Sequence, residues 1–366
     1  MKYRMLGKTG MNVSCVGLGG GMLGSSDTDY AVQIVEKALE LGVNYFDNAR
    51  SYWDSEIKLG IALKGKRESV YVSSKTNAVT KDEARQHIHE TLDRLQTDYL
   101  DNCHLHGLQD EQDLHARIGN GGALEALIEA KEQGLIRHIG CTSHVSRQLL
   151  VKAVKLFDFE IILVPMNIVE REPLDELIPL CLEKGIGITI MKPLATGLLP
   201  AHLALKWLMN QPVATAVPGA STIEEVTANS LVGHLEDATL TEQEAIEAAD
   251  WARRLEHVRC RLCKACEPCH AGINIASTLG TDVVYDHYRT MGPEVFSSFP
   301  WSKERIDIDC QPRLELISQI ESCDDCGECE KRCPYGLPVS SMLKSMLGPM
   351  KDIVNTWEAL GERQLR

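Results

Sequence analysis

Cys260, Cys263, Cys266 and Cys269, and further on Cys323, Cys326, Cys329 and Cys333 with Pro334 behind it, are eight of the thirteen cysteines in the chain. Two intervening residues let consecutive thiolates turn toward one small volume. The second run reads C-x2-C-x2-C-x3-C-P, the spacing in which three sulfurs hold one [4Fe-4S] cube and the fourth reaches a second. The first run, C-x2-C-x2-C-x2-C, supplies a matching set, so the arithmetic gives two [4Fe-4S] clusters. Zinc is the rival reading, although structural zinc sites ordinarily use separated C-x2-C pairs rather than four cysteines at three-residue steps. The spacing leaves open which cysteine completes each cluster. Cys15, Cys103, Cys141, Cys181 and Cys310 read as small buried hydrophobes, with Cys310 a spare ligand should one of the eight go unused.

A second constellation lies upstream. Asp47, Tyr52, Lys75 and His106 supply a carboxylate, a phenol, an ammonium and an imidazole, the parts needed to protonate a carbonyl oxygen while hydride reaches its carbon. A phenol of pKa about 10 holds its proton too tightly at neutral pH, and an adjacent ammonium is expected to lower that value. Lys75 is the expected ammonium, Asp47 the carboxylate that keeps it charged and aimed, and His106 a donor to the same oxygen. Taken singly, each has a plainer explanation: a helix cap, loop packing, a solvated charge, a core histidine. Their common placement is what sets them apart.

That placement follows from the elements around them. Short apolar runs at Val16 to Leu18, Val43 to Asp47, Val70 to Ser74, Leu100 to His106, Ile136 to Ser143, Ile161 to Pro165, Ile186 to Met191 and Ala214 to Pro218 alternate with helical patterns at Ala31 to Leu41, Lys81 to Leu95, Leu124 to Gln133, Leu174 to Lys184, Ala201 to Met209 and Ile223 to Leu231. Mostly apolar strands with helices between them predict a parallel (β/α)8 TIM barrel, whose chemistry sits at the C-terminal ends of the strands. Asp47 then closes the second strand with Tyr52 just beyond it, Lys75 follows the third, and His106 closes the fourth. Alternation puts His104 on the same side as His106, and a buried, hydrogen-bonded histidine is expected there.

A doubly wound sheet is the competing architecture, because Gly19-Gly20-Gly21-Met22-Leu23-Gly24 formally fits G-x-G-x-x-G, with Asp47 ending the next strand. Ser25 to Asp29 looks like a loop with helix caps where the opening helix should already be running. The glycines therefore read as a tight turn, at which Gly20 permits close approach of a ligand.

Asn44 to Glu56 (NYFDNARSYWDSE), Val72 to Thr76 (VSSKT), Asp98 to His106 (DYLDNCHLH) and Gly134 to Gly140 (GLIRHIG) resemble the aldo-keto reductase family over roughly residues 1 to 250. The cysteine-bearing tail resembles the alpha-helical ferredoxin modules fused to one branch of those enzymes, and Ile190 to Leu194 (IMKPL) with Gly140 to His144 (GCTSH) fits that branch. The resemblance implies an NAD(P)-dependent oxidoreductase acting on a small carbonyl or alcohol, with Asp47, Tyr52, Lys75 and His106 as its catalytic tetrad. It also implies that Thr142, Ser143 and Asn167 lie near the nicotinamide amide, that Met191, Lys192 and Pro193 run along the cofactor, and that Pro218, Gly219, Ser221, Glu225 and Asn229 follow the adenosine half. The chain departs from the family at Met191, Leu163 and Ser143, where an aromatic, a glutamine and an asparagine are common. Gly219 to Glu225 carries two glutamates and no basic residue where NADP enzymes grip the 2′-phosphate, so NAD competes with NADP here, and Lys192 is the one nearby cation to nominate for NADP.

Composition limits the other partners. The chain has 366 residues, 44% hydrophobic and 25% charged, with a net charge of −14. A nucleic-acid or anionic-membrane surface would need clustered Lys and Arg, so neither is expected. Met1 to Lys8 lacks a long apolar run, no membrane-spanning stretch follows, and a reducing cytoplasmic setting is the simplest expectation. The acidic stretch Gly107 to Gly122 is long for a strand-to-helix loop, and is expected to lie over the mouth and to suit a neutral or polar substrate.

Two domains are expected: a barrel over 1–254, and a small, mainly helical cluster domain over 255–366 whose aromatics Tyr285, Tyr288, Phe296, Phe299 and Trp301 supply core. Clusters move single electrons and a nicotinamide delivers a hydride, and no flavin motif joins the two. A structural role, or a relay to a redox partner protein, is thus preferred over direct participation at the mouth. The competing functions are an electron-transfer or docking protein with an altered barrel, and a redox-neutral isomerase or lyase that keeps its nicotinamide bound.

Overall fold

The computed structural model of the chain describes residues 1–280 and 313–364. Tyr285, Tyr288, Phe296, Phe299, Trp301 and Cys310 lie outside the described residues. Packing divides the chain after Ala252, inside a helix that runs Glu242–Glu256.

The first unit opens with an antiparallel hairpin, β1 (Tyr3–Met5) and β2 (Asn12–Ser14), whose three-residue strands are too short to show alternation in sequence. Eight strands follow: β3 (Leu18–Gly19), β4 (Tyr45–Asp47), β5 (Tyr71–Thr76), β6 (Leu100–Leu105), β7 (Ile136–Thr142), β8 (Ile161–Pro165), β9 (Gly187–Met191) and β10 (Thr215–Ala216). Each pairs in parallel with the next. Parallel bridges from Val16 to Ala216 and from Gly19 to Gly219 bring the last strand round to the first. The result is a closed barrel, and it excludes the doubly wound sheet. Gly20–Ser25, the glycine run, forms one short 3-10 helix.

The strands form because their residues are buried on both faces; all six residues of β6 and all five of β9 are buried. Leu6, Met11 and Val13 of the hairpin pack with Tyr45, Ile161, Leu163 and Val217 inside the barrel. The hairpin thus plugs the end opposite the strand C-termini, and each such buried side chain contributes about 1.5–3 kcal/mol. Asp27, Thr80, Ser146 and Thr222 cap the helices that follow them, each accepting a backbone N–H three residues on.

The stretch after β6 is not the long irregular loop that its polarity suggested. It contains a helix, Glu111–Ile118, capped by Asp110, which accepts from Asp113 N at 2.8 Å. Arg117 pairs with Asp113 one turn away at 2.7 Å and Leu114 is buried; with one apolar anchor in a charged run, helical periodicity is faint.

Helix Ser55–Ala62, also unmarked in sequence, buries the polar side chains of Ser55, Glu56 and Lys58 alongside Leu59 and Ala62. Ser55 Oγ donates to the Gly20 carbonyl at 2.6 Å. Lys58, 2% exposed, donates to the carbonyls of Leu23, Gly24 and Ser26 at 3.1, 3.3 and 2.6 Å and pairs with Asp54 at 2.7 Å. Glu56, fully buried, accepts from Ser74 Oγ at 2.7 Å and faces Arg94, which also donates to the Trp53 carbonyl. This one helix therefore fastens both the glycine turn and the loop that carries Tyr52.

The second unit includes helices Ile275–Gly280, Glu328–Arg332, Val339–Ser345 and Leu347–Gln364. Ile273, Ile320, Leu337, Leu343, Met350 and Ile353 form its apolar core, with cysteines from both runs packed against it. Among the described residues, no helix is long and apolar enough to cross a membrane.

Replacing Lys58 by Met leaves three carbonyls and Asp54 without their donor, and should cost about 2–3 kcal/mol in urea unfolding followed by tryptophan fluorescence. A loss under about 0.5 kcal/mol would show that the lysine is an ordinary surface group.

Candidate active site and metal centres

The C-terminal ends of β4, β5 and β6 bring Asp47, Lys75 and His106 together, and Tyr52 enters from the loop beyond β4. Lys75 Nζ lies 2.7 Å from Asp47 Oδ2 and 2.5 Å from the Asn48 carbonyl. It sits 4.9 Å from the centre of the Tyr52 ring. Tyr52 and His106 meet edge to face, with ring centres 6.1 Å apart at 84°. Arg117 of the unforeseen helix donates to the His106 backbone carbonyl at 3.0 Å and steadies that strand end from outside.

Burial pulls the Lys75 ammonium down, but the charges of Asp47 and then Tyr52 outweigh it, so its pKa stands above the usual lysine value. Burial in turn pushes the Asp47 carboxyl up against the pull of Lys75. Read separately the two directions conflict over the proton. The short contact, with a second acceptor on the same nitrogen, decides for the ion pair. For Tyr52 the sequence expectation fails in its net direction. Lys75 does lower the phenol, but burial, with Asp47 adding to it, wins and leaves the value raised. Burial first, then Lys75, holds the His106 imidazole well below its ordinary range.

His104 is buried as expected but not hydrogen-bonded as expected, since among the described residues neither ring nitrogen has a partner. Its register partner on β5 is Lys75 and on β7 is Gly140. A Cβ at 140 would lie 2.3 Å from His104 Nδ1, so only glycine leaves the ring room.

The other predicted contacts sit at strand ends around the same rim. Thr142 ends β7, and its Oγ1 accepts from Gly107 N at 2.7 Å. Ser143 Oγ donates to the Leu108 carbonyl at 2.8 Å. Asn167 donates to Glu170 and to the Lys192 carbonyl at 2.7 and 3.1 Å, and accepts from Val169 N and Glu170 N. Ser143 thus spends its side-chain donor on the neighbouring loop after β6, and Asn167 divides its donors between its own loop and the one after β9. Met191 ends β9, and Lys192, before Pro193, takes a positive φ of 53°. Pro218 and Gly219 follow β10, and Asn229 is buried in helix Ile223–Val232. The amide of Ser221, just before that helix, donates to the Glu225 carboxylate at 2.6 Å. A Cβ on Gly20 would come within 3.0 Å of Asn48 and Ser55, so that glycine serves packing.

Sequence reasoning gave no role to His144, whose ring centre lies 6.1 Å from that of His106 at 54°. Its position right after a barrel strand was the available signal. Nothing in sequence marked Glu56, Lys58 and Arg94, because periodicity reports apolar burial and theirs is polar.

In the second unit the cysteines regroup across the two runs. One cavity is lined by Cys323, Cys326 and Cys329 together with Cys269. Another is lined by Cys260, Cys263 and Cys266 together with Cys333. Each holds four sulfurs, the donor set a [4Fe-4S] cube needs. Burial, then neighbouring thiols and Glu267, pushes Cys266 up to about 12, and burial pushes Cys260 up to about 11.

His106 should stay neutral from pH 8 down to about 6, because its lowered pKa puts protonation below the ordinary 6.5. NMR of ring-labelled histidine, assigned with His106→Phe, checks this; a midpoint between pH 6 and 7 would refute the buried, ammonium-facing placement.

Comparison with known proteins agrees with this architecture. Residues 15–202 match the aldo/keto reductase family, and residues 259–337 match a 4Fe-4S dicluster domain. An uncharacterized oxidoreductase, YqkF of Bacillus subtilis (strain 168), is 26% identical over 303 residues, covering 68% of this chain and 96% of its own. An NADH-specific methylglyoxal reductase of Escherichia coli (strain K12) is 30% identical over 229 residues, covering 54% and 69%. Among solved structures, the holo form of aldo-keto reductase AKR11C1 from Bacillus halodurans superimposes with a TM-score of 0.60 at 29% identity, covering 69% of this chain and 96% of that one. The chain belongs to the aldo/keto reductase family and is an oxidoreductase of that type carrying a C-terminal 4Fe-4S domain.

Proposed function

We propose that the barrel mouth interconverts a small carbonyl compound and its alcohol, with Tyr52 as the acid–base group. The observation that carries this is the buried Lys75–Asp47 pair with the Tyr52 ring over its ammonium and His106 edge-on beside it. Bound at the rim, a nicotinamide dinucleotide would supply the hydride. Tyr52, protonated at neutral pH, gives its proton to the substrate oxygen as charge develops there, and Lys75 stabilises the phenolate left behind. His106, neutral, keeps an N–H for the same oxygen and orients the substrate. Asp47 takes no proton; it keeps the ammonium charged and in place.

The dinucleotide is NAD in this reading. A 2′-phosphate at the start of helix Ile223–Val232 would meet Glu224 and Glu225 in the first turn, and would find the Ser221 amide already taken by a carboxylate. A ribose 2′-hydroxyl finds an acceptor there instead. The Escherichia coli relative named for NADH is consistent with that choice.

Two [4Fe-4S] clusters fit the crossed sets, one on Cys323, Cys326, Cys329 and Cys269 and one on Cys260, Cys263, Cys266 and Cys333. They join two distant stretches of chain and so stabilise a small unit. A relay to a redox partner would leave near Cys326, which is exposed.

Tyr52→Phe should lower kcat with NADH by about 10²–10⁴ while leaving NADH binding by fluorescence nearly intact, and the wild type should favour NADH over NADPH. A fully active variant would remove Tyr52 from the chemistry. Anaerobically purified protein should carry about eight irons and Cys333→Ser about four, with matching sulfide; zinc in their place would refute the cluster assignment.

A further inference from the structure

His144 does not belong to the tetrad, yet its ring neighbours that of His106. Tyr52, His106 and His144 are three successive rings, each 6.1 Å from the next. His106 follows β6 and His144 follows β7, the neighbouring strand, so both project from one rim of the barrel. Both are half-buried. No hydrogen bond within the described residues engages the ring nitrogens of either.

The loop behind them is fixed. Gly107 N donates to Thr142 Oγ1 at 2.7 Å, Leu108 N to the Thr142 carbonyl at 2.8 Å, and Ser143 Oγ to the Leu108 carbonyl at 2.8 Å. These bonds tie the residues after His106 to the residues before His144. The two imidazoles are therefore held at a set separation, which is what discrimination between substrates requires. Burial, with Lys192 and Lys75 adding to it, lowers His144 to about 3, so its ring is neutral. A neutral imidazole has one N–H and one lone pair, and a hydroxyl or carbonyl oxygen satisfies either.

We propose that His144 is a specificity-determining residue that binds a second oxygen of the substrate, on the carbon next to the reacting carbonyl, so that the site takes 2-oxygenated aldehydes and ketones in preference to plain ones. This rests on the reductase reading of the mouth. The reacting oxygen lies between Tyr52 and His106. An oxygen on the adjacent carbon points along the rim, one ring further, where His144 waits for it. A plain aldehyde leaves that imidazole facing a methyl group, with its N–H and lone pair unmatched.

The test compares kcat/KM for glycolaldehyde and acetaldehyde, which differ by one hydroxyl on the adjacent carbon, in the full-length cluster-loaded enzyme with NADH. The wild type should favour glycolaldehyde at least tenfold, about 1.4 kcal/mol. His144→Phe should bring the ratio to within about threefold, and His144→Gln, which retains a donor and an acceptor, should restore part of it. Iron content and circular dichroism matching wild type would exclude a folding effect, and the glutamine variant answers the question should the phenylalanine variant misfold. A ratio unchanged by both substitutions overturns the proposal while leaving the reductase reading intact. Failure of the wild type to reduce either aldehyde overturns both.

Discussion

Lys75 carries its ammonium into a space where 1% of its surface meets solvent. Removing such a charge from water costs several kcal/mol, and only close, well-aimed partners offset that. Asp47 and the Asn48 carbonyl are those partners, and adjacent strands β4 and β5 hold them in register through Asp47 and Ser73. The rest of the first unit serves that arrangement. The hairpin plugs the opposite end of the barrel, helix Ser55–Ala62 ties down the glycine turn and the Tyr52 loop, and Arg117 braces the end of the His106 strand. A phenol placed over this ammonium gains what it lacks in water, a fixed positive charge ready for the phenolate.

Much of this was legible in sequence, for an identifiable reason. Parallel barrel strands are apolar on both faces, so Asp47, Lys75 and His106 stand out where each run ends. Features without such contrast stayed hidden. Three-residue strands cannot show alternation, so the hairpin was missed. Glu111–Ile118 has a single well-buried apolar anchor, so it read as loop. Lys58 is satisfied by Asp54 and three backbone carbonyls, and Glu56 faces Arg94, whereas residue type alone says that charged side chains belong outside. The raised phenol of Tyr52 also needed three dimensions, because the lysine that lowers it was visible in sequence while the burial that outweighs the lysine was not.

The cysteine runs show the same boundary between what spacing says and what folding decides. Spacing within a run brings three sulfurs together, as with Cys260, Cys263 and Cys266. Which fourth cysteine joins them depends on a chain reversal more than sixty residues later, and the fold supplies Cys333 to the first set and Cys269 to the second. In the proposed reading each cluster would bridge the two runs, and such bridges would stabilise a unit whose apolar core is small.

The central claim is that Tyr52, backed by the buried Lys75–Asp47 pair, protonates a carbonyl oxygen at the barrel mouth. A crystal structure with NADH and a slowly reacting carbonyl compound tests it most directly. The account predicts the substrate oxygen at about 3 Å from both Tyr52 Oη and a ring nitrogen of His106, with the carbonyl carbon facing the nicotinamide. A substrate oxygen bound elsewhere, with Tyr52 turned away from Lys75, would contradict it.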